Sequence, residues 1–171
     1  SGLREREARR VIVVASALAG EGKSFTSANL ARSLSLEPEH TVLLIDADVI
    51  KPFISQSLGI ADRKGLMDAL LDPMRNPEDL VLKTDIEGLS VMPAGSVSHH
   101  ATEYFASART REVLDQLLLV PNRIIVIDTL PLLQTTEARA LAPFAGQVLL
   151  VVRAESTPQA AVHEALSVLG K

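Results

Sequence analysis

The chain has 171 residues, a formal net charge of −4, 47% hydrophobic residues and no cysteine. This length fits one domain with a sizeable core, and the negative balance argues against a nucleic-acid-binding surface. The lack of cysteine excludes disulfides and thiolate metal sites, and no apolar run approaches the roughly 18 residues of a membrane-spanning helix. We therefore expect residues 11–171 to form one globular domain that binds no nucleic acid.

The first ten residues form a charged segment, which we separate from the domain. Between Arg4 and Arg10 every residue except Ala8 is charged. Such a run is usually a solvated helix or a chain terminus, and a self-association surface is the alternative.

Apolar strand candidates alternate with helix-like segments along the rest of the chain. The predicted strands are Val11–Ser16, Thr41–Ile45, Leu89–Met92, Arg123–Ile127 and Gln147–Val152. The predicted helices are Ser24–Ser35, Leu66–Leu71, Thr102–Leu119, Thr136–Leu141 and Pro158–Leu169. Strands that are apolar throughout are typical of a parallel sheet covered on both faces. The alternation predicts a doubly wound, mainly parallel α/β fold with helices on both faces.

The loop after the first predicted strand carries a phosphate-binding pattern, ALAGEGKS, from Ala17 to Ser24. Its glycines allow a tight path that points backbone N–H groups and the helix N-terminus at phosphate oxygens. In such a P-loop Lys23 reaches the β- and γ-phosphates, and the Ser24 hydroxyl is a Mg²⁺ ligand. Ala17 replaces the usual first glycine, which the loop tolerates if Ala17 keeps φ negative. The residues expected at the nucleotide are Ala19, Gly20, Glu21, Gly22, Lys23, Ser24, Phe25 and Thr26.

Two other predicted strands run into aspartates at their carboxyl ends, where ligands of such sheets bind. Asp46 and Asp48 follow the second strand, and beside a triphosphate such a pair implies a cation between them. One of the pair could also orient or deprotonate an attacking hydroxyl. The alternative for this pair is a turn or a helix N-cap. Asp128 ends a later strand and has the form of a carboxylate that acts on Mg²⁺ through water.

With these motifs the chain resembles the bacterial P-loop tyrosine autokinases, and among them the exosortase-associated tyrosine autokinases of exopolysaccharide loci. Four stretches carry the resemblance. They are residues 16–26, residues 42–52 (VLLIDADVIKP), residues 92–95 with 101–107, and residues 124–133 (IIVIDTLPLL) continued by 147–157.

The resemblance implies a P-loop NTPase fold of the partition-ATPase type and a protein tyrosine kinase with ATPase activity. Lys23, Asp46 and Asp48 would be catalytic, and Ser24, Asp46, Asp48 and Asp128 would hold Mg²⁺. The enzyme would transfer the γ-phosphate of Mg-ATP, leaving ADP, to tyrosines of a C-terminal tail on neighbouring copies of a homo-oligomer. It would regulate exopolysaccharide biosynthesis and export from the cytoplasmic face of the bacterial inner membrane. Its membrane partner would be a fused or separate transmembrane chain-length or activator protein.

The chain departs from the family pattern at several positions. Many members carry arginine two residues after the second aspartate, where this chain has Ile50 followed by Lys51. The tyrosine-rich tail and a last strand that often helps hold the base are not found in residues 1–171. The family's ring-forming motif is not clearly matched by Arg4–Arg10. We therefore expect a catalytic core.

Two other functions stay open on the same fold. A dimeric ATPase switch of the partition or septum-positioning type would carry a signature lysine where this chain has Leu18. A nucleotide-dependent adaptor without catalysis would not need Lys23, Ser24 and the aspartates. These residues favour the kinase.

Overall fold

The computed structural model describes residues 9–170, which form one six-stranded sheet with helices on both faces. The strands are β1 (Val11–Ser16), β2 (Thr41–Asp46), β3 (Leu82–Lys83), β4 (Leu89–Met92), β5 (Arg123–Pro131) and β6 (Gln147–Val151). They lie in the order β3-β4-β2-β5-β1-β6, and only the β3–β4 pair is antiparallel. The predicted doubly wound, mainly parallel fold is confirmed.

Seven α-helices connect these strands within residues 9–170. They are α1 (Lys23–Ser35), α2 (Phe53–Ser57), α3 (Leu66–Leu71), α4 (Ala101–Phe105), α5 (Ala108–Leu117), α6 (Glu137–Leu141) and α7 (Gln159–Leu169). Single 3₁₀ turns cover Pro77–Leu80 and Ala142–Phe144.

Both faces of the sheet are buried at its central strands β1, β2 and β5, as uniformly apolar strands require, whereas the edge strand β6 is largely exposed. Leu43 and Ile45 of β2 point into a cluster that includes Phe105, the largest fully buried side chain. Val42 and Leu44 of the same strand point the other way, into a second cluster. Alternate residues of β2 therefore enter different cores, one on each face of the sheet. In the sheet order β2 lies between β4 and β5, so it is a central strand.

The predicted helix Thr102–Leu119 is wrong in one respect, since two helices, α4 and α5, occupy this stretch. The break lies at Ser107, whose backbone is extended with ψ 161°. Its N–H and hydroxyl both donate to the Tyr104 carbonyl, at 3.1 and 2.6 Å. A side chain that competes with the backbone for hydrogen bonds thus ends α4 without glycine or proline.

Most of the predicted charged segment Arg4–Arg10 lies outside the described residues. Its last residue, Arg10, donates to the Leu118 carbonyl at 3.1 Å. None of the helices within residues 9–170 is both long and apolar enough to cross a membrane.

Candidate active site

The loop between β1 and α1 adopts the conformation that its glycines allow. Gly20 and Gly22 have φ of +78° and +84°, in the left-handed region that favours glycine. Ala17 is buried and keeps a negative φ, so it substitutes for the usual glycine without backbone strain. The loop is fastened at its start, where the Ser16 hydroxyl donates to the Leu18 carbonyl at 2.7 Å.

The N-terminus of α1 presents free donors beside this loop. The first helical bond runs from the Thr26 N–H to the Gly22 carbonyl at 2.9 Å. Within residues 9–170 no acceptor serves the N–H groups of Lys23, Ser24 and Phe25. Because such groups carry the positive end of the helix dipole, this end of α1 suits an anion.

Asp128, near the end of β5, contacts several side chains of α1. Its carboxylate is fully buried and contacts Lys23 Nζ at 3.0 Å through Oδ1. The Ser24 hydroxyl donates to Oδ2 at 2.7 Å, and the Ser27 hydroxyl to Oδ1 at 2.9 Å. Buried charges are tolerated when they are paired and hydrogen-bonded in this way. Asp128 therefore fixes the two P-loop side chains that were predicted to meet phosphate and metal.

Ser27 is a site residue that was not predicted from the sequence. The signal was available, since Ser27 lies four residues after Lys23 and so faces the same side of α1. Its hydroxyl also contacts the Lys23 carbonyl at 2.9 Å.

Asp46 ends β2 beside Asp128 but has different partners. Its Oδ2 accepts from the Ser55 N–H at 2.9 Å and the Ser55 hydroxyl at 2.7 Å, and Oδ1 accepts from the Asp48 N–H at 3.1 Å. Burial raises the pKa of Asp46 to about 6, although the hydrogen bonds from Ser55 oppose the rise. Asp46 is fully buried and does not face solvent. Its hydrogen bonds join the end of β2 to α2 and to the turn that lies between them.

Asp48 lies at the surface of the site, where it also closes a turn. Its Oδ1 accepts from the N–H groups of Ile50 and Lys51, at 3.2 and 2.8 Å. The turn that we considered as the alternative for this pair is thus present. Burial raises the pKa of Asp48. Because no donor within residues 9–170 occupies Oδ2, one carboxylate oxygen is left for a ligand.

These elements border an open cleft of about 570 Å³. Its lining includes seven of the eight residues predicted at the nucleotide, from Ala19 to Phe25, whereas Thr26 does not line it. Another part of the wall comes from Asp48, Ile50, Lys51 and Phe53, which follow β2, and a further part comes from Leu130, Pro131, Gln134 and Thr135. Asp46 and Asp128 lie behind this surface, so only Asp48 of the three predicted aspartates lines the cleft.

The donor set fits a hard cation that keeps other oxygen ligands. No group of three or more His, Asp or Glu side chains within residues 9–170 could hold a metal alone. The Ser24 hydroxyl and the free oxygen of Asp48 are oxygen donors of the kind that Mg²⁺ takes together with phosphate and water. Asp128 contacts the Ser24 hydroxyl, so any effect of Asp128 on such a metal would pass through Ser24.

Comparisons with known proteins identify the family of this domain. The model of the AAA domain family matches residues 9–169. The succinoglycan biosynthesis transport protein ExoP of Rhizobium meliloti is 34% identical over 92% of this chain and 20% of its own. The tyrosine-protein kinase YwqD of Bacillus subtilis is 30% identical over 91% of this chain and 66% of its own. The chain spans about a fifth of the length of the first curated relatives it matches.

Solved structures give the same assignment. The VpsO kinase domain is 33% identical, with a TM-score of 0.87 over 96% of this chain and 80% of its own. Two more distant structures show the P-loop NTPase fold alone, each over 94% of this chain. They are a Borrelia burgdorferi plasmid partition protein (23% identical, TM-score 0.71, 73% of its own chain) and a Mycobacterium smegmatis cobyrinic acid a,c-diamide synthase with bound ADP and magnesium (23%, 0.78, 66%).

The family match covers nearly the whole described domain, and the relatives that match above 30% identity include a kinase domain. The predicted partition-ATPase type of fold is confirmed, while the assignment to the exosortase-associated branch stays a prediction. The chain belongs to the AAA domain family and, within it, to the bacterial P-loop tyrosine kinases.

Proposed function

We propose that this domain is the catalytic domain of an ATP-dependent protein tyrosine kinase, which also hydrolyses ATP. The observation that carries the proposal is the buried Asp128 carboxylate, which holds Lys23 at 3.0 Å and Ser24 at 2.7 Å. Phosphoryl transfer depends mainly on positioning and charge neutralisation, and this cluster supplies both next to the cleft.

The P-loop supplies the nucleotide contacts. Residues Ala19 to Phe25 line the cleft and would surround the phosphates of ATP or ADP, with the free N–H groups of α1 pointing at them. Ser24 would bind Mg²⁺ directly and Asp48 would bind it through water, which leaves the free oxygen of Asp48 available as a proton acceptor. Asp128 would support Ser24, and Asp46 would support Asp48, through their hydrogen bonds. The bound ion would neutralise phosphate charge. Thr26, which lies off the cleft, would support the loop through its bond to Gly22.

Asp48 is the acidic residue that could act as the base. The acceptor phenol oxygen forms a bond to the γ-phosphorus while the bond from that phosphorus to the bridging oxygen breaks, which leaves ADP. The phenol proton passes to the free oxygen of Asp48, and Lys23 offsets the negative charge of the phosphates. Burial raises the pKa of Asp48, which makes its carboxylate a better proton acceptor.

The cation that many family members place two residues after the second aspartate is missing. Ile50 occupies that position, and it is 61% exposed. Lys51 lines the same wall of the cleft, so its ammonium group would supply positive charge there.

The physiological setting is part of the same proposal. The acceptors would be tyrosines of a C-terminal tail on neighbouring copies, phosphorylated in trans within a homo-oligomer. The kinase would regulate exopolysaccharide biosynthesis and export, in line with its similarity to the succinoglycan biosynthesis transport protein ExoP. It would work at the cytoplasmic face of the inner membrane, with a fused or separate transmembrane partner.

The test is transfer of labelled γ-phosphate from Mg-ATP to a synthetic tyrosine-rich peptide, followed by phosphoamino-acid analysis. Tyr104 is the chain's single tyrosine, so Tyr104→Phe removes any signal from the chain itself. We expect phosphotyrosine on the peptide from this variant, and none when Lys23→Met is added.

Each other outcome identifies a different function. Release of phosphate without phosphotyrosine would favour the dimeric ATPase switch, and nucleotide binding without turnover would favour the adaptor. Unchanged turnover in Lys23→Met, with an unaltered circular dichroism spectrum, would overturn the site itself.

A further inference from the structure

Glu21 is an acidic side chain inside the phosphate loop, where a phosphate ligand would repel it. The residue is only 9% exposed. Its Oε2 accepts from the Leu18 N–H at 2.8 Å, and its Oε1 accepts from the Thr157 hydroxyl. A buried carboxylate is tolerated when donors satisfy its oxygens. Glu21 therefore joins the phosphate loop to the segment that precedes α7.

The Thr157 hydroxyl is oriented toward Glu21 by its own neighbour. Its oxygen accepts from the Arg153 N–H at 3.1 Å, which directs its single proton to the carboxylate. The Thr157 N–H donates back to the Arg153 carbonyl at 3.0 Å, so residues 153–157 form a closed turn. Glu155 in this turn has φ of +59°, a conformation that is unfavourable for a residue with a Cβ. The turn thus has a defined shape that its local sequence does not favour.

The sheet brings this turn to the phosphate loop. β1 and β6 are parallel, and Ser16 is aligned with Val151 at their carboxyl ends. The Leu18 side chain also packs against the buried cluster that includes Ala165 of α7. Leu18 is therefore held by its backbone, through Glu21, and by its side chain, through this cluster.

We propose that Glu21 and Thr157 are positioning residues that keep the phosphate loop in its ligand-binding shape. The bond from Leu18 fixes the start of the loop, so the N–H groups that follow point into the cleft before a ligand arrives. Nucleotide affinity then depends on the turn between β6 and α7, which itself need not touch the phosphates. This inference rests on the proposed function, because it concerns the same nucleotide site.

The direct test is the dissociation constant of Mg-ADP, measured by titration calorimetry on the full chain. Thr157→Val keeps the shape of the side chain but removes the hydroxyl, and we expect affinity to fall about tenfold. Thr157→Ser keeps the hydroxyl and should bind within about twofold of the unaltered chain. Thr110→Val is the matched control, because this buried hydroxyl donates to the Tyr104 carbonyl at 3.0 Å, on α5. It should lower the unfolding temperature without changing the dissociation constant.

Glu21→Met separates positioning from simple charge repulsion, because methionine is similar in size but offers the Leu18 N–H no oxygen acceptor. Removal of a negative charge near phosphate would by Coulomb's law tighten binding, whereas loss of the hold on Leu18 weakens it. We expect weaker binding, and we expect the double variant with Thr157→Val to bind no more weakly than the weaker single variant.

Three results would overturn the inference. They are unchanged affinity in Thr157→Val, an equal loss in Thr110→Val, and tighter binding in Glu21→Met. Failure of the unaltered chain to bind Mg-ADP would instead overturn the proposed function, and this inference with it.

Discussion

β2 and β5 lie side by side, and Asp46 of one is aligned with Asp128 of the other at their carboxyl ends. Both aspartates follow four aliphatic residues and both are fully buried. Asp128 contacts Lys23, Ser24 and Ser27 of α1, whereas Asp46 contacts Ser55 and the backbone of Asp48. The same local pattern therefore yields one carboxylate at the nucleotide site and one that holds the scaffold. The difference lies in the donors that reach each carboxylate, which come from α1 for Asp128 and from α2 and the turn before it for Asp46.

The largest effect should come from Asp128→Asn. The amide cannot balance the Lys23 ammonium, and its NH₂ would face donors, so we expect turnover to fall about 1,000-fold. Binding of Mg-nucleotide should weaken more than binding of metal-free nucleotide, because Asp128 acts on the metal through Ser24. Steady-state kinetics and calorimetry with and without EDTA measure both effects.

The matched control for Asp128→Asn is Asp115→Asn, which removes an exposed carboxylate from α5. It should leave both constants unchanged. Equal weakening of metal-bound and metal-free binding in Asp128→Asn would contradict the metal role of Asp128.

A smaller effect separates Asp48 from Asp46. Asp48→Asn removes the free oxygen that we assign as base, so we expect kcat to fall about 100-fold with little change in KM. Asp46→Asn acts through the displaced turn at Asp48, and we expect a loss of about tenfold. Parallel kinetics of the two variants provide the measurement. A larger loss in Asp46→Asn would assign the base to Asp46 and reverse the comparison.

A separate effect concerns folding and pH, and it leaves turnover aside. Burial raises the pKa of Asp46 from 3.8 to about 6, so the native state keeps this proton over a range in which the unfolded chain loses it. The contribution is complete below about pH 4, and it is lost as the pH rises to about 6, by about 3 kcal/mol in the free energy of unfolding. Asp46→Asn should remove this part of the pH dependence. Urea unfolding in EDTA at a series of pH values tests it, and parallel curves for the two proteins would refute it.

Local signals predicted most of the fold. The bounds of β1, β4 and α3 agree with the predicted ranges, because uniform apolar runs and helical periodicity are properties of neighbouring residues. β5 continues to Pro131, past the predicted end at Ile127. Thr129 and Leu130, which lie in this extension, are buried beside β1. The short α2 follows Pro52 without a periodic pattern, so its sequence gave no comparable signal.

The candidate site was predictable only in part, because local sequence patterns do not show which distant residues come into contact. The P-loop pattern located Lys23 and Ser24, and strand ends located the aspartates. Which carboxylate meets which side chain depends on contacts between residues far apart in the chain, such as Lys23 with Asp128 or Glu21 with Thr157, 105 and 136 positions apart. Periodicity carries no information on such pairs.

The contact between Lys23 and Asp128 has a consequence for the speed of nucleotide capture. Lys23 is 7% exposed and its ammonium group is already paired, so an arriving phosphate must exchange with a carboxylate oxygen before it gains this contact. Asp128 keeps the Ser24 and Ser27 hydroxyls during that exchange, which lowers the barrier to releasing Lys23. Association should therefore show two kinetic phases, a fast encounter at the N-terminus of α1 and a slower step whose rate is independent of nucleotide concentration.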